Sequence, residues 1–175
     1  MRTTYPEALR FTLQWEGGWS DHPADPGGAT MRGVTIGRYG EFLGRDVTKE
    51  ELRAIPDDHV EAIYHQGYWQ PLRCDHLPKG LDMAVFDFGV NSGPKRAAQY
   101  LQRLVGATDD GVIGPRTLDA LEIEHGRVGG KELVLRYNRA RRDYVRRLKT
   151  FKVFGPGWIN RIDALTLVAG GLADP

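Results

Sequence analysis

The sequence predicts a mainly α-helical fold with one small β-hairpin, and three observations support this prediction. Apolar residues recur at helical spacing in several segments, most clearly in residues 81–88. Residues 4–7 and 48–51 both have the spacing of a capping box, which marks the start of a helix. A stretch rich in proline and glycine, residues 19–37, interrupts the helical pattern and ends in alternating residues that suit two short strands.

The first half of the chain divides at these signals. A first helix is predicted to begin near Tyr5 and to end at the glycine pair of residues 17–18. The hairpin follows within residues 19–37. A second helix begins after Thr48 and is interrupted by Pro56, and a short helix then resumes.

The second half is predicted to be helical throughout. A core helix runs from Leu81 to the vicinity of Gly93. Pro94 and Pro115 each suit the first turn of a following helix. A long basic helix comes next, and residues 155–171 form a final helix.

Composition limits the class of protein. The chain has 175 residues, 41% of them hydrophobic and 27% charged, as expected of a soluble globular protein. Its single cysteine, Cys74, excludes an internal disulfide framework. Its start contains no apolar run long enough for a signal peptide or a membrane anchor. We therefore expect synthesis in the cytoplasm, with release that depends on another protein.

The net charge of +1 hides a strongly basic segment. Residues 131–152 contain nine Lys or Arg residues against two acidic ones. Such a segment can bind an anionic wall or membrane surface, or can be the solvated face of a long helix. No DNA-recognition motif accompanies it, so we expect no nucleic-acid partner.

Glu16 is the strongest catalytic candidate. It is predicted to lie at the carbonyl end of the first helix, where a negative charge is unfavourable, and beside Trp15 or Trp19. Both features favour the protonated carboxyl group, which can act as a general acid. A glutamate at a frayed helix end is the alternative interpretation.

Asp25 and Thr30 follow in the turn-rich stretch. A hairpin that folds back over the helix end would bring a second carboxylate opposite Glu16, and glycoside hydrolysis uses such a pair. Ordinary turn chemistry explains the same residues, and on these residues alone it is the better explanation. Asp21 competes with Asp25 as the second carboxylate.

Other side chains are candidates for contact with a substrate. Trp19, Tyr68 and Trp69 can stack on sugar rings through their apolar faces, although core aromatics are commoner. Asn91 and Ser92 end the core helix and can line a cleft or cap the helix. The segment 110–117 is either a ligand contact or a tight turn before a helix.

Four side chains are of types that can bind zinc: His59, His65, Cys74 and His76. Their spacing matches no zinc pattern, so no metal or other cofactor is expected.

A resemblance to a known family rests on one motif, EGGWSDHPADPGGATMRGVT, which spans residues 16–35. It resembles the pattern of glycoside hydrolase family 108, bacterial and phage N-acetylmuramidases. The similarity continues through residues 68–93, and residues 101–118 are similar to the associated peptidoglycan-binding segment.

This resemblance implies a lysozyme-like fold with the hairpin next to an active-site cleft. It implies Glu16 as catalytic acid, with Asp25 and Thr30 either positioning a water or stabilising positive charge at the sugar, in the residue order of the tailed-phage lysozymes. One extra residue between Glu16 and Asp25 makes Asp25 the less certain of the two. We expect a catalytic segment, 1–92, and a peptidoglycan-binding type of segment, 93–175, packed together as one unit.

The implied function is cleavage of the β-1,4 bond between N-acetylmuramic acid and N-acetylglucosamine, with inversion. The expected setting is a phage, a prophage or a secretion cluster, with peptidoglycan as partner. We expect a monomer that acts on the cell wall, in the periplasm, after release through a holin-type pore. A lytic transglycosylase and a non-catalytic wall-binding module are the alternatives.

Overall fold

The structure of the chain, a computed structural model, describes residues 4–21 and 28–174. Within these residues it contains nine α-helices and one two-stranded antiparallel sheet, so the predicted mainly helical fold with a single hairpin is confirmed. The helices are α1 (Tyr5–Trp15), α2 (Ile36–Leu43), α3 (Lys49–Arg53), α4 (Asp57–Tyr64), α5 (Leu81–Ser92), α6 (Pro94–Leu104), α7 (Pro115–Val128), α8 (Gly130–Arg146) and α9 (Phe151–Leu172). The strands are β1 (Thr30–Met31) and β2 (Val34–Thr35).

The chain forms two compact units, which are described separately. The smaller unit is Leu9–Gly67, and the larger unit combines Met1–Ala8 with Tyr68–Pro175. These units are defined by contacts in space, whereas the division into segments 1–92 and 93–175 follows the sequence and stays a prediction. Among the described residues, no helix has both the length and the apolar content that crossing a membrane requires.

The smaller unit is organised by short helices around the hairpin. α3 begins with the predicted capping box: the Thr48 hydroxyl accepts from the Glu51 amide at 3.2 Å, and the Glu51 carboxylate accepts from the Thr48 amide at 2.8 Å. α2 was not predicted. It begins after Thr35, whose hydroxyl accepts from the Arg38 amide, and it ends at Gly44 in the left-handed conformation.

The larger unit is built around α5. Every residue from Leu81 to Gly89 is buried, because α6, α8 and α9 pack around this helix. Pro94 and Pro115 occupy the first positions of α6 and α7, as predicted. α9 begins at Phe151, earlier than predicted.

Candidate active site

Glu16 follows the last residue of α1, at the helix end that the Gly17–Gly18 pair predicts. It is half-buried. Its side chain lies close to Gly33: a Cβ added to Gly33 would lie 3.3 Å from Glu16 Oε2 and 3.4 Å from Glu16 Cγ. The glutamate therefore rests against the turn of the β-hairpin.

That turn has an unusual backbone. Met31 pairs with Val34, so Arg32 and Gly33 form a two-residue loop. Both loop residues have positive φ, 53° for Arg32 and 76° for Gly33, as in a type I′ hairpin turn. Glycine adopts this conformation freely, whereas arginine does so rarely.

Two side chains of α4 contact this turn. The buried Tyr64 donates a hydrogen bond from its hydroxyl to the Arg32 carbonyl at 2.9 Å. The Arg32 guanidinium forms an ion pair with Asp57. A Cβ on Gly33 would lie 2.3 Å from Tyr64 Oη, so only glycine fits between these groups.

Thr30 lies in β1, opposite Thr35. Its backbone also exchanges two hydrogen bonds with Ser20, at 2.9 and 2.8 Å, and its hydroxyl donates to the Gly28 carbonyl at 3.3 Å. An isolated antiparallel bridge between Ser20 and Thr30 thus joins the segment that follows Glu16 to the hairpin.

The predicted second carboxylate, Asp25, lies outside the described residues. Its competitor Asp21 is described: its carboxylate forms an ion pair with Lys49 Nζ at 2.9 Å. Both partners are partly exposed, so the pair contributes little to stability. The choice between Asp25 and Asp21 stays a prediction.

Trp19 is half-buried and contacts a cation. The guanidinium carbon of Arg53 lies 4.2 Å from the ring centroid, within cation–π range. One face of the indole is therefore covered by an arginine. The predicted contact between Trp19 and substrate stays a prediction.

Trp69 is a core residue, which corrects the prediction that it stacks on a sugar. It is 1% exposed and packs against the Tyr5 and Phe86 rings, at centroid distances of 5.1 and 5.5 Å. A ring enclosed in this way offers no face to a ligand. Tyr68 is half-buried in the π-helical turn His65–Trp69, and its stacking on a sugar ring stays a prediction.

Asn91 and Ser92 occupy the last turn of α5, as predicted, and are half-buried. The Ser92 hydroxyl donates to Asn91 Oδ1 at 3.2 Å. The Ser92 carbonyl accepts from the Arg96 guanidinium at 2.9 Å. These contacts order the end of the helix, and a role of either side chain in substrate binding stays a prediction.

The segment 110–117 borders a surface cavity of about 660 Å³ in the larger unit. Gln102, which is 1% exposed, holds this segment: its amide nitrogen donates to the Asp110 carboxylate at 2.8 Å, and its oxygen accepts from the Gly111 amide at 2.9 Å. The Val112 amide also donates to Asp110 and, with Gln102, holds the pKa of that carboxyl below its ordinary value. The cavity is thus framed by an ordered loop.

The basic segment 131–152 is less exposed than its sequence suggests. Arg141 is 1% exposed and pairs with the buried Asp87 at 2.7 Å, so it belongs to the core and not to a surface. Arg136, Arg142 and Arg146 are each paired with an acidic side chain. The remaining cations are the ones that a surface partner would meet.

Two of the four side chains considered as zinc ligands have other surroundings. His59 Nδ1 lies 3.0 Å from the Tyr39 hydroxyl, and Cys74 is buried. Over residues 4–21 and 28–174, no group of three or more His, Cys, Asp or Glu side chains is arranged to hold a metal ion.

No sequence pattern indicated Tyr64, whose contact with the Arg32 carbonyl joins segments far apart in the chain. Arg32 was detectable in principle, because a residue before glycine between two short strands often lies in a tight turn. Arg53 and Lys49 appeared only as ordinary polar residues of α3.

A mainly helical chain with a glutamate at the end of its first helix, next to a small hairpin, belongs to the lysozyme-like class of proteins. Comparisons define it further. The family model "Glycosyl hydrolase 108" matches residues 9–93, and the model "Predicted Peptidoglycan domain" matches residues 96–163.

Among solved structures, SagA of Brucella abortus is similar over 97% of this chain and 95% of that chain, with 37% sequence identity and a TM-score of 0.82. No curated protein matches the chain. The chain belongs to the glycosyl hydrolase 108 family. It is a glycoside hydrolase with a peptidoglycan domain, and peptidoglycan is its binding partner.

Proposed function

We propose that the chain is an N-acetylmuramidase, a lysozyme that hydrolyses the β-1,4 bond between N-acetylmuramic acid and N-acetylglucosamine. The observation that carries this proposal is the half-buried Glu16 at the end of α1, resting against Gly33 of the hairpin. A carboxyl group in such a place can act as the general acid that donates a proton to a leaving group.

In the proposed reaction, Glu16 donates its proton to the glycosidic oxygen, and the bond between this oxygen and the anomeric carbon breaks. Asp25 accepts a proton from a water, whose oxygen attacks the anomeric carbon from the opposite face. Thr30 gives this water a second hydrogen-bond partner. The products are two shorter glycans, and the anomeric configuration is inverted.

The larger unit is proposed to bind the wall while the smaller unit cuts it. The cavity beside segment 110–117 is a candidate contact for glycan or stem peptide. Exposed cations at the junction of α8 and α9, namely Arg147, Lys149 and Lys152, are candidates for an anionic wall or membrane surface.

The biological setting is proposed from the family resemblance alone. We infer that the enzyme is a monomer and reaches the periplasmic wall after a holin-type pore opens, in a phage, a prophage or a secretion cluster.

A matched pair of variants tests the proposal. Glu16→Gln keeps the shape of the side chain and removes the proton donor. Glu7→Gln makes the same change at an exposed position of α1. Digestion of purified peptidoglycan should release reducing ends with the wild type and with Glu7→Gln, and almost none with Glu16→Gln. Activity of Glu16→Gln within tenfold of the wild type removes Glu16 from the catalytic role.

A lytic transglycosylase would also depend on one acid, but it uses no water and forms anhydro-sugars. A wall-binding module would bind peptidoglycan without releasing reducing ends. The same digestion therefore separates the three functions.

A further inference from the structure

The Arg32–Gly33 turn is held in a conformation that its first residue disfavours. Arg32 has a φ of 53°, one of two positive values at non-glycine residues among the described residues. Residues in this region persist only where surrounding contacts fix them, and they cluster at functional sites. The conformation of Arg32 is therefore expected to depend on the side chains that contact the turn.

Two side-chain contacts from α4 restrain the turn. Asp57, the first residue of that helix, pairs with the Arg32 side chain, but its own side chain is 91% exposed and the pair is weak. Tyr64, the last residue of the helix, is 2% exposed and donates to the Arg32 carbonyl at 2.9 Å. The partly buried hydrogen bond from Tyr64 is therefore the stronger of these two restraints on the turn.

The restrained turn meets Glu16. The position that a Cβ of Gly33 would take is 2.3 Å from Tyr64 Oη and 3.3 Å from Glu16 Oε2. The two side chains thus approach the same face of one glycine. A shift of the turn would move the surface on which the Glu16 carboxylate rests.

We propose that Tyr64 is a positioning residue for Glu16. Its hydroxyl fixes the Arg32–Gly33 turn, and the turn fixes the direction of the Glu16 carboxyl group toward the scissile bond. The π-helical turn that directly follows Tyr64, His65–Trp69, agrees with a functional role, since such turns occur often at functional sites. This inference rests on the proposed function of Glu16.

Tyr64→Phe tests the inference, because it removes only the hydroxyl and keeps the buried ring. Tyr39→Phe is the matched control: Tyr39 is also buried in the smaller unit, and its hydroxyl contacts His59 at 3.0 Å. With soluble peptidoglycan fragments as substrate, Tyr64→Phe should lower kcat by about 10- to 100-fold, since a misplacement of about 1 Å has an effect of this size. KM should change by less than about twofold, because a misdirected proton donor affects the chemical step and not ground-state binding. Tyr39→Phe should change neither constant.

A second substitution tests the route through the turn. Asparagine tolerates positive φ far better than arginine, and Asn-Gly is the preferred type I′ pair. In an Arg32→Asn background the turn needs less restraint, so Tyr64→Phe should lower kcat much less than in the wild type. An equal loss in both backgrounds would overturn a role of Tyr64 through the turn.

The carbon NMR signal of the Glu16 carboxyl group gives a readout that does not need activity. It should move in Tyr64→Phe and stay in place in Tyr39→Phe. If the signal moves in Tyr64→Phe but the wild type cleaves no peptidoglycan, the proposed function is wrong, while the positioning of Glu16 by Tyr64 still holds. An unmoved signal, or an unchanged kcat in Tyr64→Phe, would overturn the inference itself.

Discussion

Asp87 of α5 is held by Arg161 of α9 inside the larger unit. The Arg161 guanidinium donates to both carboxylate oxygens, at 2.7 and 3.1 Å, and Arg141 of α8 adds a third contact at 2.7 Å. Asp87 and Arg141 are almost completely buried. The two arginines hold the pKa of the Asp87 carboxyl below its ordinary value, against the effect of burial.

Asp87→Asn should therefore destabilise the chain strongly. The substitution leaves two buried guanidinium groups without a compensating charge, which typically costs about 3–5 kcal/mol. Urea denaturation measures the loss. Asp109→Asn breaks the exposed pair with Arg103 and should cost less than about 1 kcal/mol. Equal losses for the two variants would show that the buried cluster does not hold α5 to α8 and α9.

Asp82 makes the stability of the chain depend on pH. Burial raises the pKa of its carboxyl from 3.8 to about 6, although hydrogen bonds from the Thr4 hydroxyl and the Met83 amide oppose this shift. Between pH 3.8 and about 6, the folded chain therefore keeps a proton on Asp82 that the unfolded chain has lost. The contribution of Asp82 to the free energy of unfolding is most favourable below about pH 4 and is lost as the pH rises through about 6.

Asp82→Asn should remove this dependence. The variant should be more stable than the wild type above pH 6, by up to about 3 kcal/mol, and the difference should vanish near pH 4. Thermal unfolding over this range measures both curves. Asp119→Asn, at an exposed position of α7, is the control and should run parallel to the wild type. Parallel curves for Asp82→Asn would mean that Asp82 is not the titrating group.

The basic surface at the α8–α9 junction should matter for walls and not for short glycans. Replacing Arg147, Lys149 and Lys152 by Gln should weaken binding to anionic walls about tenfold at low salt and remove the salt dependence. Cleavage of short soluble glycans should be unchanged. A variant that exchanges Lys for Arg and Arg for Lys at these positions keeps the charge and should behave as the wild type. If the Gln variant retains full, salt-dependent binding, this surface is merely solvated.

The proposed pair of carboxylates predicts the stereochemistry. With a water between the pair, hydrolysis of the β-linked substrate should give the α-anomer first. Proton NMR during the first minutes of the reaction detects it. Asp25→Ala should be severely impaired and Thr30→Ala less so, whereas Asp21→Ala should lose only the exposed contact with Lys49. An initial β-anomer would show that the proposed position of the water is wrong. An inactive Asp21→Ala beside an active Asp25→Ala would show that Asp21, and not Asp25, is the second carboxylate.

The elements that the sequence predicted well are those with local signals. The prolines at the starts of α6 and α7 and the capping box of α3 lie within a few residues of the helices they begin. α2 was missed because Gly37 and Gly40 lie within it and obscure its helical pattern. Its ends at Thr35 and Gly44 did carry cap signals.

The candidate site was predictable only in part, for the same reason. The glycine pair after Glu16 predicts a helix end from neighbours in the chain. The contacts of Tyr64 and the burial of Trp69 arise from tertiary packing, which leaves no pattern at these positions. Sequence periodicity distinguishes a buried aromatic from a sugar-stacking one poorly, because both are apolar.

Water is the proposed nucleophile, and the proposed cut leaves N-acetylmuramic acid at the new reducing end. Mass spectrometry of purified peptidoglycan digested in water labelled with heavy oxygen measures both properties at once. We expect fragments that end in a reducing N-acetylmuramic acid with one labelled oxygen, formed by the wild type and absent with Glu16→Gln. Anhydro-sugar ends without label would exclude water as the nucleophile, and labelled ends at N-acetylglucosamine would exclude the proposed bond.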